Sequence, residues 1–346
     1  MRTIIDSLRS NHTLHAEEYH KLIACSDEQI INYLHQQARG ATLEKFGNQI
    51  YIRGLLEISN CCTNNCYYCG IRKGNKNVKR YSLDKQTILD SCRKGHGLGF
   101  RTFVLQGGET TKTQDEKIIE TIKEIHALYP DCAITLSLGE KPYETYLRFY
   151  EAGANRYLLR HETKNEDHYT KLHPLEMSPQ NRLRSLEDLR KIGYQAGTGI
   201  MVGSPYQTID NLVEDILFIE KFQPQMIGIG PFIPHEDTPF ASYPAGSVRQ
   251  TLILISILRL MNPNLLIPST TALNSIDPKG RMKGILAGAN VLMPNLTPID
   301  RRKDYSLYNN KSSLGIESAE GLKELRDELS SIGYEVSTKK GDYVQN

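Results

Sequence analysis

Eight short runs rich in β-branched and other apolar residues alternate with longer segments of helical period, and that alternation leaves the chain few folds to choose from. The runs are 50–58, 102–106, 133–138, 156–160, 195–202, 226–230, 265–268 and 290–293. Strands separated by helices are joined by crossovers and therefore lie parallel. Eight such units in 346 residues predict an α/β fold, a (β/α)8 TIM barrel, while an open doubly wound sheet would use the same alternation. Among the helices, 208–222 is marked by Thr208 as a cap and by Leu212, Ile216 and Ile219 on one face. Another, 318–332, puts Leu322, Leu325, Leu329 and Ile332 on one stripe. Ahead of the first strand, Ser26 and Gln29 read as a capping box for a helix through Ile30, Ile31 and Leu34. The expected organisation is an N-terminal helical cap over 1–48, the barrel over 49–334 and a C-terminal tail over 335–346. No low-complexity tract or Pro- or Gly-rich linker divides the chain.

A chain of this length can bury roughly three quarters of its unfolded surface, so core size sets no limit. The 42 Lys and Arg residues against 40 Asp and Glu give a formal charge of +2, with the two signs interleaved, which disfavours nucleic acid as a partner. No run approaches the ~20 apolar residues that span a bilayer. Residues 1–12 carry Asp6 and Arg9 and lack the apolar core of a signal peptide, so no membrane association and a cytoplasmic location are expected. Seven cysteines, odd in number and unevenly placed, fit reduced thiols better than a disulfide framework.

Three of those cysteines, Cys62, Cys66 and Cys69, are spaced CxxxCxxC directly after the first strand. Four thiolates would fill every iron of a cubane cluster, whereas three leave one iron open to a ligand that is not protein. Zinc also takes cysteine, but a structural zinc is closed by four groups, usually with the second pair far along the chain. Cys61 could be offered as the fourth, yet two consecutive residues rarely point at one tetrahedral ion. The spacing favours an iron–sulfur cluster, with zinc or inert thiols as the competing readings.

On a barrel, chemistry collects at the carboxyl ends of the strands. After the first strand come the cysteines, and after the second Gln106, Gly107, Gly108 and Glu109. Thr135 and Ser137 lie in the third, and Arg160, His161 and Glu162 follow the fourth. Gly203 and Ser204, then His235, then Ser269, Thr270 and Thr271, then Asn295 close the remaining four. A fold held by packing alone has no need of such a rim.

CxxxCxxC with the aromatic Tyr68 before its last cysteine is similar to the cluster loop of the radical S-adenosylmethionine (radical SAM) superfamily. Within it, the segments 57–60, 75–77, 79–81, 137–140, 156–163 and 228–235 resemble the HydE family of FeFe-hydrogenase maturases, with biotin synthase and methylornithine synthase as more distant likenesses. The likeness runs from the first strand to about Tyr305. It implies one 4Fe–4S cluster on Cys62, Cys66 and Cys69, with S-adenosyl-L-methionine on the free iron and reductively cleaved to a 5′-deoxyadenosyl radical. Reducing a sulfonium needs the low end of the roughly −700 to +450 mV range of iron–sulfur centres, so a flavodoxin or ferredoxin donor is implied.

The same resemblance assigns roles residue by residue. Gln106, Gly107, Gly108 and Glu109 would lie beside the methionine ammonium, Glu162 and Arg182 at its amino and carboxylate ends, Ser137 on the ribose, and Tyr68 and Met201 against the adenine. Thr135, Arg160, Thr270, Thr271 and Tyr305 match positions the family directs at substrate, where hydroxyls and one fixed cation suit an anionic or cyanide-bearing ligand. His161, His235, Cys92 and Cys132 are read as structural. The implied task is to help build the hydrogenase di-iron unit from a cysteine-bound iron carbonyl cyanide precursor, with HydG and HydF as partners. The alternative enzyme is a methylornithine synthase or biotin-synthase-like catalyst on a small amino acid; the non-enzyme alternative is an electron carrier or zinc-binding module. Some HydE proteins bind a second cluster through cysteines near the carboxyl terminus, but no cysteine follows Cys132 here, so only one is expected.

Overall fold

The computed structural model describes residues 1–344. Its strands are β1 Gln49–Ile52, β2 Gly54–Ser59, β3 Thr102–Gly107, β4 Ala133–Ser137, β5 Arg156–Leu158, β6 Gln195–Val202, β7 Met226–Pro231, β8 Val291–Leu292 and β9 Glu335–Ser337. They form two sheets, ordered β2-β3-β4-β5-β6-β7 and β8-β1-β9, and every pairing is parallel. The strand order follows the sequence without the reversal that marks a doubly wound sheet. Single bridges, Met226 to Leu266, Pro268 to Val291 and Leu55 to Asn295, complete the ring in place of an unbroken ladder. The architecture is a TIM-barrel-like parallel α/β fold, as the alternation predicts.

Two strand expectations need correction. The run 50–58 is two strands in different sheets, with Arg53 at the break. The run 265–268 contributes bridges only, because Pro268 has no N–H to give a ladder.

Local chemistry fixes the helices. Thr208 Oγ1 accepts from Asn211 N at 3.2 Å while Asn211 Oδ1 accepts from Thr208 N at 3.0 Å, opening the helix Ile209–Phe222. For the helix Glu28–Phe46 the cap is Asp27, not Ser26: its Oδ1 accepts from Gln29 N at 2.8 Å and Ile30 N at 3.3 Å. The segment 318–332 yields a shorter helix, Leu322–Ser331, preceded by 3-10 turns. The amino-terminal helices Arg2–Asn11, Ala16–Ile23 and Glu28–Phe46 share a core with β6, β7 and the helix Val248–Met261. Packed on both sides, that last helix buries every residue from Thr251 to Met261, which is why its sequence is apolar all round. A second core lies between the outer faces of β2 to β5 and their helices, and it takes in Cys92 and Cys132. Residues 335–337, expected to begin a tail, instead pair with β1. Among the described residues no helix is long and apolar enough to cross a membrane.

Candidate active site

The loop 61–80 leaves β2 and is held in shape by its own polar side chains. Asn60 pins both ends: its Nδ2 donates to Lys79 O at 2.9 Å and Asp304 O at 2.7 Å, and its Oδ1 accepts from Tyr81 N at 2.7 Å. Arg80 fills the middle, donating to the carbonyls of Asn60, Ile71, Arg72 and Asn75. Asn75 Nδ2 donates to Gly70 O at 2.7 Å. Two neighbours then press directly on the cysteines. At Gly108 a Cβ would lie 2.2 Å from Cys61 O and 2.7 Å from Cys62 Cβ; at Gly70 it would lie 2.2 Å from Ser306 O and 2.3 Å from His235 Cδ2. Both positions require glycine because backbone packs on backbone. The second contact brings the segment 303–314 over the loop, where Gly70 N donates to Leu307 O at 2.9 Å.

The three thiols lie in this loop, half-buried. Burial pushes all three up, Cys69 to about 12, and neighbouring thiols raise Cys66 and Cys69 further. Thiols so placed stay protonated unless a nearby positive charge, such as a metal centre, compensates the thiolates. Cys61 is not part of the set, since its Sγ faces Tyr81 O at 3.6 Å. Among the described residues the three sulfurs do not converge within 4.8 Å of one another. Around one tetrahedral zinc, with Zn–S about 2.3 Å, they would sit about 3.8 Å apart. A cluster of several irons spreads its ligands wider, so the donor set fits a cluster with one iron left to a non-protein ligand.

Around the loop the carboxyl-end residues gather. Glu162 has a left-handed backbone (φ 66°) and donates its N–H to Gly199 O at 3.0 Å. Its Oε1 accepts from Arg160 Nε at 3.0 Å, while Oε2 is buried without a protein partner. An uncompensated buried carboxylate oxygen calls for a cation. Arg182 meets Glu140 Oε1 at 2.7 Å, and Glu140 N donates to Glu109 Oε2 at 2.7 Å. Burial opposes the charge on Arg182, but Glu140 and its other neighbours outweigh it, so the guanidinium stays protonated. Glu109 O is taken by Thr63 N at 2.9 Å and Gly108 N donates to Ser59 O at 3.1 Å, which fastens the 106–109 segment to the start of the cysteine loop. A cleft of ≈ 530 Å³ opens here, lined by Asn64, Glu109, Glu140, Met177 and Asn181 among others.

Tyr68 and Met201 belong to one apolar cluster with Leu172, Phe232 and Phe240. Tyr68 is also oriented by His173: burial, and then Arg182, lower that imidazole to about 3, so it is neutral. Its Nδ1 lies 3.0 Å from Tyr169 O and its Nε2 3.0 Å from Tyr68 Oη, which assigns the proton to Nδ1 and makes Tyr68 the donor to Nε2. Ser137 ends β4 opposite Gln106. Gln106 Nε2 donates to Tyr305 Oη at 3.3 Å. The hydroxyls of Thr135 and Thr270 are buried without protein partners. Thr271 differs from its neighbour, since its Oγ1 donates to Glu317 Oε2 at 3.2 Å.

Several groups were not anticipated from the sequence. Glu140 stood in a quoted segment without a role, and His173 and Met177 had no signal. Lys311 pairs with the fully buried Glu57 and tethers the 303–314 segment from 254 residues away, a contact no local pattern announces.

The radical SAM superfamily profile matches residues 56–219. The HydE subunit of the FeFe-hydrogenase maturase of Thermotoga maritima is 46% identical over 265 residues, 77% of this chain and 75% of that protein. The 3-methylornithine synthase of Methanosarcina acetivorans is 27% identical over 83% of this chain and 80% of that one. Among solved structures, a methylornithine synthase superposes with a TM-score of 0.84 at 24% identity, covering 96% of this chain and 97% of that one. The hydrogenase maturase HydG superposes at 0.79 and 22% identity, covering 97% and 75%. At those identities the structures speak for the fold, and the Thermotoga relative speaks for the family. Membership brings one 4Fe–4S cluster and S-adenosyl-L-methionine as cofactors. The chain is an enzyme of the radical SAM superfamily and belongs, within it, to the HydE family of FeFe-hydrogenase maturases.

Proposed function

We propose that the chain acts on a cysteine-bound iron carbonyl cyanide precursor of the hydrogenase di-iron unit, alongside the maturases HydG and HydF and a low-potential electron donor. The observation that carries this reading is 46% identity to a HydE spread over three quarters of both chains, joined to a three-thiol loop whose neighbouring Cys61 is turned away. When bound, the cluster supplies the electron that breaks the sulfonium of S-adenosylmethionine into methionine and a 5′-deoxyadenosyl radical.

The protein's part is to hold and shield. Glu162 offers Oε2 to the ammonium, and Arg182, steadied by Glu140 and with Nη1 also 3.4 Å from Arg160 O, offers its guanidinium to the carboxylate. Tyr68 and Met201 give the adenine an apolar wall, with Ser137 for the ribose. Arg160, Tyr305 and the partnerless hydroxyls of Thr135 and Thr270 suit an anionic substrate, whereas Thr271 is engaged by Glu317. The segment 303–314, tied to Gly70, Asn60 and Glu57, excludes water from the site.

The test is anaerobic reconstitution followed by dithionite and S-adenosylmethionine. The expected product is 5′-deoxyadenosine, lost in Cys66→Ser, and apo-hydrogenase should be activated by HydG and HydF only when this chain is added. Turnover supported by a small amino acid alone would favour the methylornithine or biotin synthase reading. An intact cluster with no 5′-deoxyadenosine would end both.

A further inference from the structure

At the amino end of the barrel, away from the cysteine loop, three side chains of different chemistry meet. Strand β3 begins at Thr102 and β4 at Ala133, so the residues just ahead of them lie opposite the end where Gln106 and Ser137 sit. His96 is the next-to-last residue of the helix Lys85–Gly97, which precedes β3. Asp131 and Cys132 lie in the turn that leads into β4, where Cys132 N donates to Tyr129 O at 3.0 Å. One imidazole nitrogen, one carboxylate oxygen and the Cys132 sulfur all lie within 4.8 Å of one another. Asp131 Oδ1 is their shared corner, 3.4 Å from His96 Nε2 and 3.7 Å from Cys132 Sγ. Consecutive residues rarely face one point, but this turn brings Asp131 and Cys132 together. Around a tetrahedral zinc, with bonds of about 2.0–2.2 Å to nitrogen and oxygen and about 2.3 Å to sulfur, the N–O edge is about 3.4 Å and the S–O edge about 3.6 Å. Two edges already have those lengths. The third closes by a swing of the His96 side chain, which is 32% exposed at its helix end.

The neighbours hold this arrangement in place. Arg101 Nε donates to the other carboxylate oxygen, Oδ2, at 2.8 Å, while its Nη1 donates to the carbonyls of Phe100 at 2.9 Å and His96 at 3.1 Å. Oδ1 is thereby left to the thiol and the imidazole, as an outer hydrogen bond orients a metal ligand. The Tyr129 ring lies against His96 with centroids 4.8 Å apart. Burial, and then Asp131, push the Cys132 thiol up. The contacts its S–H makes, 3.7 Å to Asp131 Oδ1 and 3.9 Å to Phe100 O, are long. Cys92, one turn before His96, lies outside the convergent set, and the Asp131 side chain is 52% exposed, so a fourth position faces water.

We propose that His96, Asp131 and Cys132 bind one zinc ion, with water as the fourth ligand, and that the ion clamps the end of the helix Lys85–Gly97 to the start of β4. The site is separate from the cysteine loop, and the inference does not depend on the substrate reading. One thiolate, one imidazole and one carboxylate suit a borderline-soft ion, whereas magnesium and calcium prefer oxygen alone. On binding, the Cys132 S–H gives its proton to water as the zinc–sulfur bond forms, so thiolate and carboxylate balance the two charges of the ion. Arg101 keeps its own oxygen, so its charge lowers the affinity without blocking the site.

In the test, reconstituted holoprotein is incubated anaerobically with an equimolar amount of zinc chloride, desalted, and assayed for zinc and iron together. Wild type should keep about one zinc per chain with its iron content unchanged. Cys132→Ser should keep less than about a fifth as much, and so should Asp131→Asn, an exposed change that leaves the core untouched. Cobalt(II) in place of zinc should give the visible bands of a four-coordinate ion together with a sulfur-to-cobalt charge-transfer band, and Cys132→Ser should lose the latter. Zinc held by either variant at the wild-type level would mark an adventitious surface ion and overturn the proposal. A wild type that keeps no zinc would overturn it too, as would zinc gained only in step with iron lost, which would place the ion at Cys62, Cys66 and Cys69.

Discussion

Both ends of the barrel bury arginines, and the two sets are built on different terms. At the carboxyl end Arg160 and Arg182 each meet a neighbouring side-chain carboxylate, and Glu162 still has an oxygen without a protein partner. At the amino end Arg156, the first residue of β5, bonds Asp342 at 2.6 Å and both Thr102 Oγ1 and Lys340 O at 3.2 Å. Arg53 lies nearby with Nη1 3.1 Å from the Met226 sulfur, and burial, then repulsion from Arg156, push its guanidinium well below the ordinary range. Chain from the carboxyl terminus runs across this end: Thr102 Oγ1 donates to Lys340 O at 2.9 Å, and Gln195 Oε1 accepts from Tyr343 N at 3.2 Å. Arg182 adds only a 3.4 Å contact to Arg160 O within the site, so its side-chain pair can give way to a ligand, whereas Arg156 also fastens Lys340 O of a separate segment and cannot let go without freeing it. The upper end is therefore suited to binding and the lower to closure.

The largest expected effect tests the upper end. Glu162→Gln keeps the shape but removes the charge proposed to meet the ammonium, so S-adenosylmethionine cleavage should fall by about 10²-fold or more, read as 5′-deoxyadenosine per iron. A comparable loss from a substitution at the lower end would erase the distinction. Next comes Glu140→Gln, which leaves the ligands in place but frees Arg182 from its 2.7 Å partner. The KM for S-adenosylmethionine should rise about tenfold with kcat within about threefold, the pattern of lost positioning. A fall in kcat with KM unchanged would assign Glu140 a different part.

How far the sequence discloses this arrangement depends on how local the cause is. The parallel barrel is legible because strand and helix periods are written into consecutive residues, and the rim is legible because strand ends can be found once strands are. The break at Arg53 is not, since the apolar run continues on both sides and only the partners change, β8 and β9 below and β3 above. Arg80, Asn60 and Asn75 could be quoted as a pattern, yet their task of satisfying loop carbonyls emerges only in three dimensions. Adjacent Thr270 and Thr271 look alike in the sequence, and a distant Glu317 separates them. Glu140, Lys311 and Asp342 owe their importance to partners 42, 254 and 186 residues away, beyond any local period.

The smallest effect belongs to the lower end, through Asp342→Asn. Removing one partner of a buried ion pair costs several kcal/mol, but Asp342 is 35% exposed, so solvent screening reduces this to about 1–2 kcal/mol, or roughly 2–6 °C in Tm. Dithionite-driven cleavage should be unchanged. Burial raises the Asp342 carboxyl, but the hydrogen bond and charge of Arg156 outweigh it, so its folded pKa lies below the ordinary value of about 3.9. A depressed carboxyl stabilises fully above its unfolded pKa and loses that contribution as pH falls through the folded one. The Tm gap between wild type and variant should thus stay constant from pH 8 to about pH 5 and narrow below about pH 4. The absence of any gap near pH 7 would mean that Arg156 is held by the Lys340 carbonyl and Thr102 alone, and that the plug at this end depends on backbone rather than on charge.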